Sequence, residues 1–218
     1  MVVLLILVTL VIAITLEIII SKSRKAAPES AAVPVFNRAN LFAPEGFYFS
    51  KFHTWAHPEE DGVRIGIDNF ALKALGNIRI KSIVPAGEKV NKGDTVIEAE
   101  VHGQKINFRS PVSGVIKATN KNLCNGKLTD AYGKDWGLKI EAEPNMIEKL
   151  LFGSEASHWL KTELRKFKDF LNQASFTPRA VGVTMYDGGN FVEGVISSLD
   201  SDTIKDFENE FLSEKTNA

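Results

Sequence analysis

The chain has 218 residues, enough for one globular domain with appendages or for two small domains. Its 26 basic and 27 acidic side chains nearly cancel to a formal net charge of -1, so the charge balance does not favour nucleic acid or another polyanion as a partner. The single cysteine, Cys124, excludes an internal disulfide.

Residues 1–20 are apolar apart from Thr9, Thr15 and Glu17. A helix of this length reaches roughly 30 Å, the thickness of the hydrocarbon layer of a bilayer. No basic residue precedes the run and no small-x-small cleavage site follows it, which favours a transmembrane helix over a cleaved signal peptide. The basic cluster at 21–25 is placed in the cytoplasm by the positive-inside rule. We therefore expect a single-pass protein of the cell membrane whose soluble body faces the cytoplasm.

The segment that follows the basic cluster is predicted to be a linker. Between Ala26 and Pro44 the chain is rich in Ala, Pro, Ser and Asn and has no sustained hydrophobic period. Such a composition is typical of a moderately stiff tether. We assign residues 21–44 to it.

Residues 45–145 have the pattern of a compact β domain. Short alternating segments are separated by Gly, Pro and Asn, as in small barrels and sandwiches. Asp68 is placed to cap a short helix that ends at Gly76. A turn is expected over 57–62, and the candidate strands are 48–55, 63–67, 78–83, 114–118 and 136–140.

The centre of this domain is a predicted hairpin. Two halves rich in Gly and Val, 85–100 and 106–116, are joined at a tip formed by His102, Gly103 and Gln104. Glycine accepts the positive φ angles of a tight turn, so the tip is expected to be exposed and available to partners.

The remaining residues predict helical appendages. Residues 146–175 include an amphipathic helix from Glu155 to Ala174, with apolar side chains at steps of three and four. Its apolar face can dock on the β domain or serve a partner. Residues 176–218 predict a small α/β segment, in which 180–185 is β-like and two groups have helical spacing: Phe191, Val192, Val195, Ile196 and Leu199, then Ile204, Phe207 and Phe211.

Five blocks of the sequence form a recognisable series. They are Phe52-His-Thr-Trp55, Gly66-Ile-Asp-Asn-Phe-Ala-Leu-Lys-Ala-Leu-Gly-Asn-Ile78, Gly87 with Val90 and Gly93-Asp94, Ser110-Pro-Val-Ser-Gly114, and Asp130-Ala-Tyr-Gly-Lys-Asp-Trp136. In order and in register these blocks resemble the H protein of the glycine cleavage system, and the similarity continues from Pro144 to Leu160. Together they cover about half of the chain.

This resemblance implies a mainly β fold with α appendages, the barrel-sandwich hybrid of lipoyl and biotinyl domains. It also implies chemistry at one lysine of the hairpin tip, whose amine carries lipoate as an amide. Counting back without gaps from Pro111, that position falls on Gly103, and the acid that precedes the lysine in the family falls on Glu100. Lys105 lies two residues further on, which displaces its amine by roughly 7 Å along a strand.

No combination of residues predicts catalysis. The sequence contains no Ser/His/Asp grouping, no phosphate-binding glycine loop and no CxxC pair. His102 makes no recognisable metal-ligand spacing with His53, His57 or His158, so a surface polar residue is the favoured interpretation.

The sequence leaves two principal hypotheses open. In the first, the protein is not an enzyme but a membrane-anchored H-protein-like module without a cofactor, which binds protein subunits of a membrane-associated complex. In the second, it is a lipoyl carrier for glycine cleavage or another lipoate-dependent oxidation, with covalent lipoate on Lys105 beside His102, Gly103 and Gln104. A membrane-fusion adaptor of an export pump ranks third, because such adaptors insert a long helical hairpin where this chain has a short turn.

Overall fold

The computed structural model describes residues 35–36, 41–174 and 191–213. The predicted membrane helix at 1–20, most of the predicted tether and the β-like segment at 180–185 lie outside these ranges. None of the helices in the described ranges is both long enough and apolar enough to cross a bilayer. Described residues from Val35 onward belong to one compact unit.

Short strands dominate the described part of the chain, as the sequence predicts. They form a two-stranded sheet of order β1-β12, a seven-stranded sheet of order β11-β2-β3-β4-β10-β9-β6 and a three-stranded sheet of order β5-β7-β8. The strands are β1 (Val35–Phe36), β2 (Tyr48–Phe49), β3 (Thr54–Glu59), β4 (Gly62–Ile67), β5 (Arg79–Ile83), β6 (Lys89–Val90), β7 (Thr95–Val101), β8 (Gln104–Arg109), β9 (Gly114–Thr119), β10 (Leu138–Ala142), β11 (Leu151–Phe152) and β12 (Phe191–Val192).

Both larger sheets contribute to one buried apolar cluster, which includes Ile65, Ile97, Phe108 and Ile140. The fold is therefore a β sandwich with added helices, in agreement with the predicted class. Gly114 shows how tightly the strands approach, because a Cβ at this position would lie 2.1 Å from the carbonyl oxygen of Glu141.

The first hairpin is tighter than the sequence suggests. Residues 57–62 were expected to form its turn, but 57–59 continue β3 and only 60–61 connect it to β4. Pro58 is tolerated in β3 because its neighbour β2 is paired only with Trp55 and Ala56, which leaves Pro58 with no N–H bond to make on that side.

Helix α1 (Asn69–Leu75) confirms the predicted caps. The Asp68 carboxylate accepts a hydrogen bond from the backbone N–H of Ala71, and Gly76 ends the helix with a φ of 72°. The helix contributes the buried side chains of Phe70 and Leu75 to the core.

The predicted amphipathic helix is confirmed as α2 (Gly153–Ala174), preceded by a 3₁₀ turn at Ile147–Lys149. Its residues Leu160, Phe167 and Leu171 are buried in the main apolar cluster. Of the two interpretations left open by the sequence, docking on the protein's own body is therefore the one observed.

Two short segments differ from their sequence-based prediction. Val35 and Phe36, inside the predicted tether, pair with Val192 and Phe191, and Phe36 is fully buried. Residues 191–199 were expected to be helical but form β12 followed by a 3₁₀ turn, Val195–Ser198. Pairing with β1 and the left-handed Gly194, φ 76°, keep this stretch out of a helix.

The C-terminal helix α3 (Ser201–Phe211) confirms the second predicted group. Asp200 caps it by accepting a hydrogen bond from the backbone N–H of Thr203. Its buried residues are Ile204, Phe207 and Phe211.

Candidate functional site

The hairpin tip between β7 and β8 has the geometry of a two-residue turn. His102 and Gly103 both have positive φ angles, 51° and 82°, as in a type I′ turn, and both are exposed. A Cβ built on Gly103 would meet no atom within 4 Å. The tip is therefore presented to the surroundings as the sequence predicts.

The residues of this tip do not fit covalent lipoate at the position that the family resemblance indicates. An amide to lipoate needs a primary amine, and Gly103 has no side chain. The left-handed conformation at Gly103 also suits glycine, because an L side chain there is strained by roughly 1 kcal/mol. No chemical step through lipoate follows from the tip itself.

Lys105, the other candidate attachment site, lies in β8 opposite Glu100 of β7. Its Nζ is 2.5 Å from Oε1 of Glu98, although 62% of the side chain remains exposed. The hydrogen bond from Lys105 lowers the pKa of Glu98, with a smaller contribution from the hydroxyl of Ser82. The amine therefore lies along the sheet face, paired with a carboxylate, rather than at the tip.

The two other polar residues near the tip also have partners within the protein. Glu100 lies 3.0 Å from the Nζ of Lys81. The amide Nε2 of Gln104 donates to the hydroxyl of Ser201, at the start of α3. The C-terminal helix thus contacts the hairpin close to its tip.

All four histidines lie in the described residues. In the described residues no group of three or more His, Cys, Asp or Glu side chains is placed to hold a metal ion. His102 is exposed at the tip, whereas His53 is fully buried and His57 donates a hydrogen bond from Nδ1 to the carbonyl oxygen of Gly46. The interpretation of His102 as a surface residue remains consistent with its position.

Sequence reasoning placed His53 in the packing of the first hairpin but missed its charged network. The Nδ1 of His53 lies 2.8 Å from Oδ2 of Asp68, the cap of α1. Its Nε2 lies 3.6 Å from Oε2 of Glu163 in α2, within ion-pair range but too long for a hydrogen bond. Asp68 lies fifteen residues after His53, and only the fold brings the two side chains together, so the sequence contains no local signal of this contact.

Burial alone would lower the pKa of His53, but the charges of Asp68 and Glu163 outweigh it and raise that pKa to about 9. The imidazole is therefore protonated at neutral pH. Burial alone would raise the pKa of Glu163, but His53 and Lys166 hold it below its usual range. The network is a buried cation between two carboxylates.

The His53 ring also lies between two aromatic rings. It stacks on Phe70 at 4.2 Å and on Trp159 at 4.9 Å, measured between ring centroids. Because Phe70 belongs to α1 and Trp159 to α2, the histidine joins the β body to the long helix. These contacts fix α1 and α2 relative to each other.

A cavity of about 580 Å³ opens beside this network. Its wall includes Phe52 and Trp159, and its rim includes the exposed lysines Lys51, Lys92 and Lys149.

Comparison with known proteins gives a consistent result. The family model described as Glycine cleavage H-protein matches residues 47–163. A glycine cleavage system H protein from Magnetococcus marinus is 31% identical over 123 residues, covering 55% of this chain and 88% of the relative. A probable glycine cleavage system H protein from Thermococcus gammatolerans is 38% identical over 109 residues, covering 49% of this chain and 81% of the relative.

One solved structure is also similar. The crystal structure of a glycine cleavage system H protein from Mycobacterium marinum is 25% identical in sequence and matches with a TM-score of 0.46. The match covers 54% of this chain and 98% of that one.

Proposed function

Because the chain belongs to the glycine cleavage H-protein family, we propose that it is a membrane-anchored member that carries no lipoyl group. It acts as a protein-binding accessory or scaffold subunit of a membrane-associated complex. Proteins of this family are carriers or accessory proteins rather than enzymes, as the absence of catalytic motifs in the sequence led us to expect.

The proposal rests on the presence of a glycine, Gly103, at the turn of the hairpin. The scaffold of the family is present over 47–163, yet the residue at the turn where the resemblance places the lipoyl lysine is a glycine. A hairpin that keeps its shape and loses its amine can still be recognised by a protein, but it cannot transfer a bound group.

Two features of the sequence support the anchor. The apolar run 1–20 has the length of a membrane-spanning helix, and the basic cluster 21–25 follows it directly. In this proposal the body faces the cytoplasm and the partner is a protein subunit at the same membrane.

The alternative function is a lipoyl carrier that uses Lys105. It is favoured by the names of the relatives and by the exposure of the Lys105 side chain, 62%, two residues after Gly103. In its disfavour, the amine is paired with Glu98 and lies along a strand rather than at a turn.

A lipoate ligase assay separates the two functions. We expect the purified wild-type chain and Lys105→Arg to remain unlabelled, and Gly103→Lys to accept lipoate, because the new amine projects into open space. Gly103→Ala is the matched control, since it introduces the same backbone strain without an amine. Labelling of the wild type that Lys105→Arg abolishes would replace the proposal with the alternative.

The anchor is tested by cell fractionation. The full chain is expected in the membrane pellet and resistant to extraction by high salt, whereas a variant that lacks residues 1–20 is expected in the supernatant. Recovery of the full chain in the supernatant would contradict the anchor without affecting the proposal for the hairpin.

A further inference from the structure

The C-terminal helix α3 lies against strand β8 of the hairpin. In the three-stranded sheet the order is β5-β7-β8, so β8 is an edge strand. An edge strand exposes unpaired backbone groups, to which another chain can add as a further strand. Helix α3 contacts this edge.

The contact satisfies backbone as well as side-chain groups of β8. Oε1 of Glu208 accepts a hydrogen bond from the backbone N–H of Asn107 at 2.9 Å and from its side-chain amide at 2.8 Å. Nearer the tip, Gln104 donates to the hydroxyl of Ser201. The helix therefore occupies the hydrogen-bonding position that an added strand would take at Asn107.

The helix is held in place by buried aromatic packing rather than by these polar contacts alone. Phe207 and Phe211 are 0% and 1% exposed. The Phe211 ring lies 5.7 Å from Phe70 of α1 and 5.9 Å from Phe167 of α2, and Lys166 lies over its face. Such packing makes the helix a fixed part of the fold and not a loosely attached tail.

Part of the opposite edge of the same sheet, at the start of β5, is also paired. Arg79 of β5 forms a bridge with Lys127, and the backbone N–H of Ile80 donates to the carbonyl of Gly126. The tip residues His102 and Gly103 stay exposed at the end of the sheet.

We propose that α3 is a built-in cover that closes the β8 edge of the hairpin to other proteins, so that a partner engages the hairpin at its tip. This inference rests on the proposed function, in which the hairpin is a recognition surface. It assigns that recognition to the end of the hairpin and excludes the addition of a strand that would pair with Asn107.

The first test measures hydrogen exchange of the Asn107 backbone amide in the full chain by NMR. Glu208→Ala is expected to speed its exchange at least about tenfold, because the N–H loses its acceptor. Asn209→Ala, on the exposed side of the same helix, should leave the rate unchanged. An Asn107 amide whose exchange ignores Glu208→Ala would overturn the contact.

The second test measures access to the edge by a bulky reagent. In a Cys124→Ser background, which removes the exposed native thiol, cysteine is introduced by Asn107→Cys or by Lys105→Cys on the same strand. A maleimide carried on a polymer of protein size should react at least about tenfold more slowly at position 107 than at position 105, because the helix blocks a large reagent. The small reagent iodoacetamide should show a smaller difference between the two positions.

Loosening the helix supplies the decisive comparison. With Phe207→Ala, the bulky reagent should react at position 107 nearly as fast as at position 105, and a chain that stops after Asp200 should give the same result if circular dichroism shows the β body intact. Equal rates at positions 105 and 107 while the helix is intact would contradict the cover. So would a rate at position 107 that rises neither with Phe207→Ala nor with the truncated chain. A lipoyl adduct on the native protein would overturn the proposed function but would leave these readouts unchanged.

Discussion

At the scale of single residues, the proposed function depends on the hairpin tip. Gly103 stands where the resemblance places the lipoyl lysine, and the positive φ angles of His102 and Gly103 show a turn suited to residues that accept a left-handed backbone. The sequence predicted the tip and its exposure because turn chemistry is local. It did not predict that Lys105 would be paired with Glu98, since that contact depends on strand register.

His102 is not the best residue for its place in the turn. Asparagine adopts left-handed φ more readily and is preferred before glycine in type I′ turns. We expect His102→Asn to raise the free energy of unfolding by about 0.5 kcal/mol and His102→Val to lower it by about 1 kcal/mol, both measured by urea denaturation. The opposite order of the two variants would show that the turn is not of this type.

The buried charge of His53 makes stability depend on pH. Its pKa is about 9 in the folded protein and about 6.5 when unfolded. Because the folded state holds the proton on His53 more tightly than the unfolded state, this residue stabilises the folded protein fully below pH 6.5. Its contribution to the free energy of unfolding declines as the pH rises and is gone above about pH 9. We expect a loss of about 3 kcal/mol between these limits.

Urea denaturation of His53→Asn across this pH range checks the assignment. Asparagine accepts the φ of 56° observed at position 53, so the backbone is retained while the charge is removed. The variant should be less stable at pH 6 and should show a flatter pH dependence. His158→Asn, on the exposed face of α2, should keep the wild-type slope, and an equal slope for His53→Asn would contradict the network.

At the scale of elements, local signals predicted the hairpin, the capped α1 and the amphipathic faces of α2 and α3. The errors concern elements that depend on distant partners. Phe36 was read as part of a tether because its neighbours are Pro, Ala and Asn, but it is buried against Phe70 and Phe167. The strand at Phe191 and Val192 exists because β1 pairs with it.

The docking of β1 can be tested by truncating its buried ring. Phe36→Ala should lower the free energy of unfolding by about 3 kcal/mol, the usual cost of removing a buried phenylalanine. Phe42→Ala is the matched control, because 56% of that side chain is exposed, and its effect should stay within about 0.5 kcal/mol. Similar small effects for both would place Phe36 outside the core.

At the scale of the whole molecule, segments that follow the family match pack against the body of the protein. The family model ends at residue 163, and the later elements β12 and α3 pack on the body through Phe191, Phe207 and Phe211. The sequence could not show this, because an amphipathic face does not reveal which surface it covers. We infer that the additions stabilise the carrier-like body and limit access to its hairpin.

We propose above all that the carrier scaffold has lost its point of attachment. Intact-mass analysis of the full chain, isolated from the cells that produce it, tests this most directly. We expect the mass of the polypeptide with no acyl group on any lysine. A lipoyl or octanoyl adduct, mapped to Lys105 by fragmentation, would contradict it.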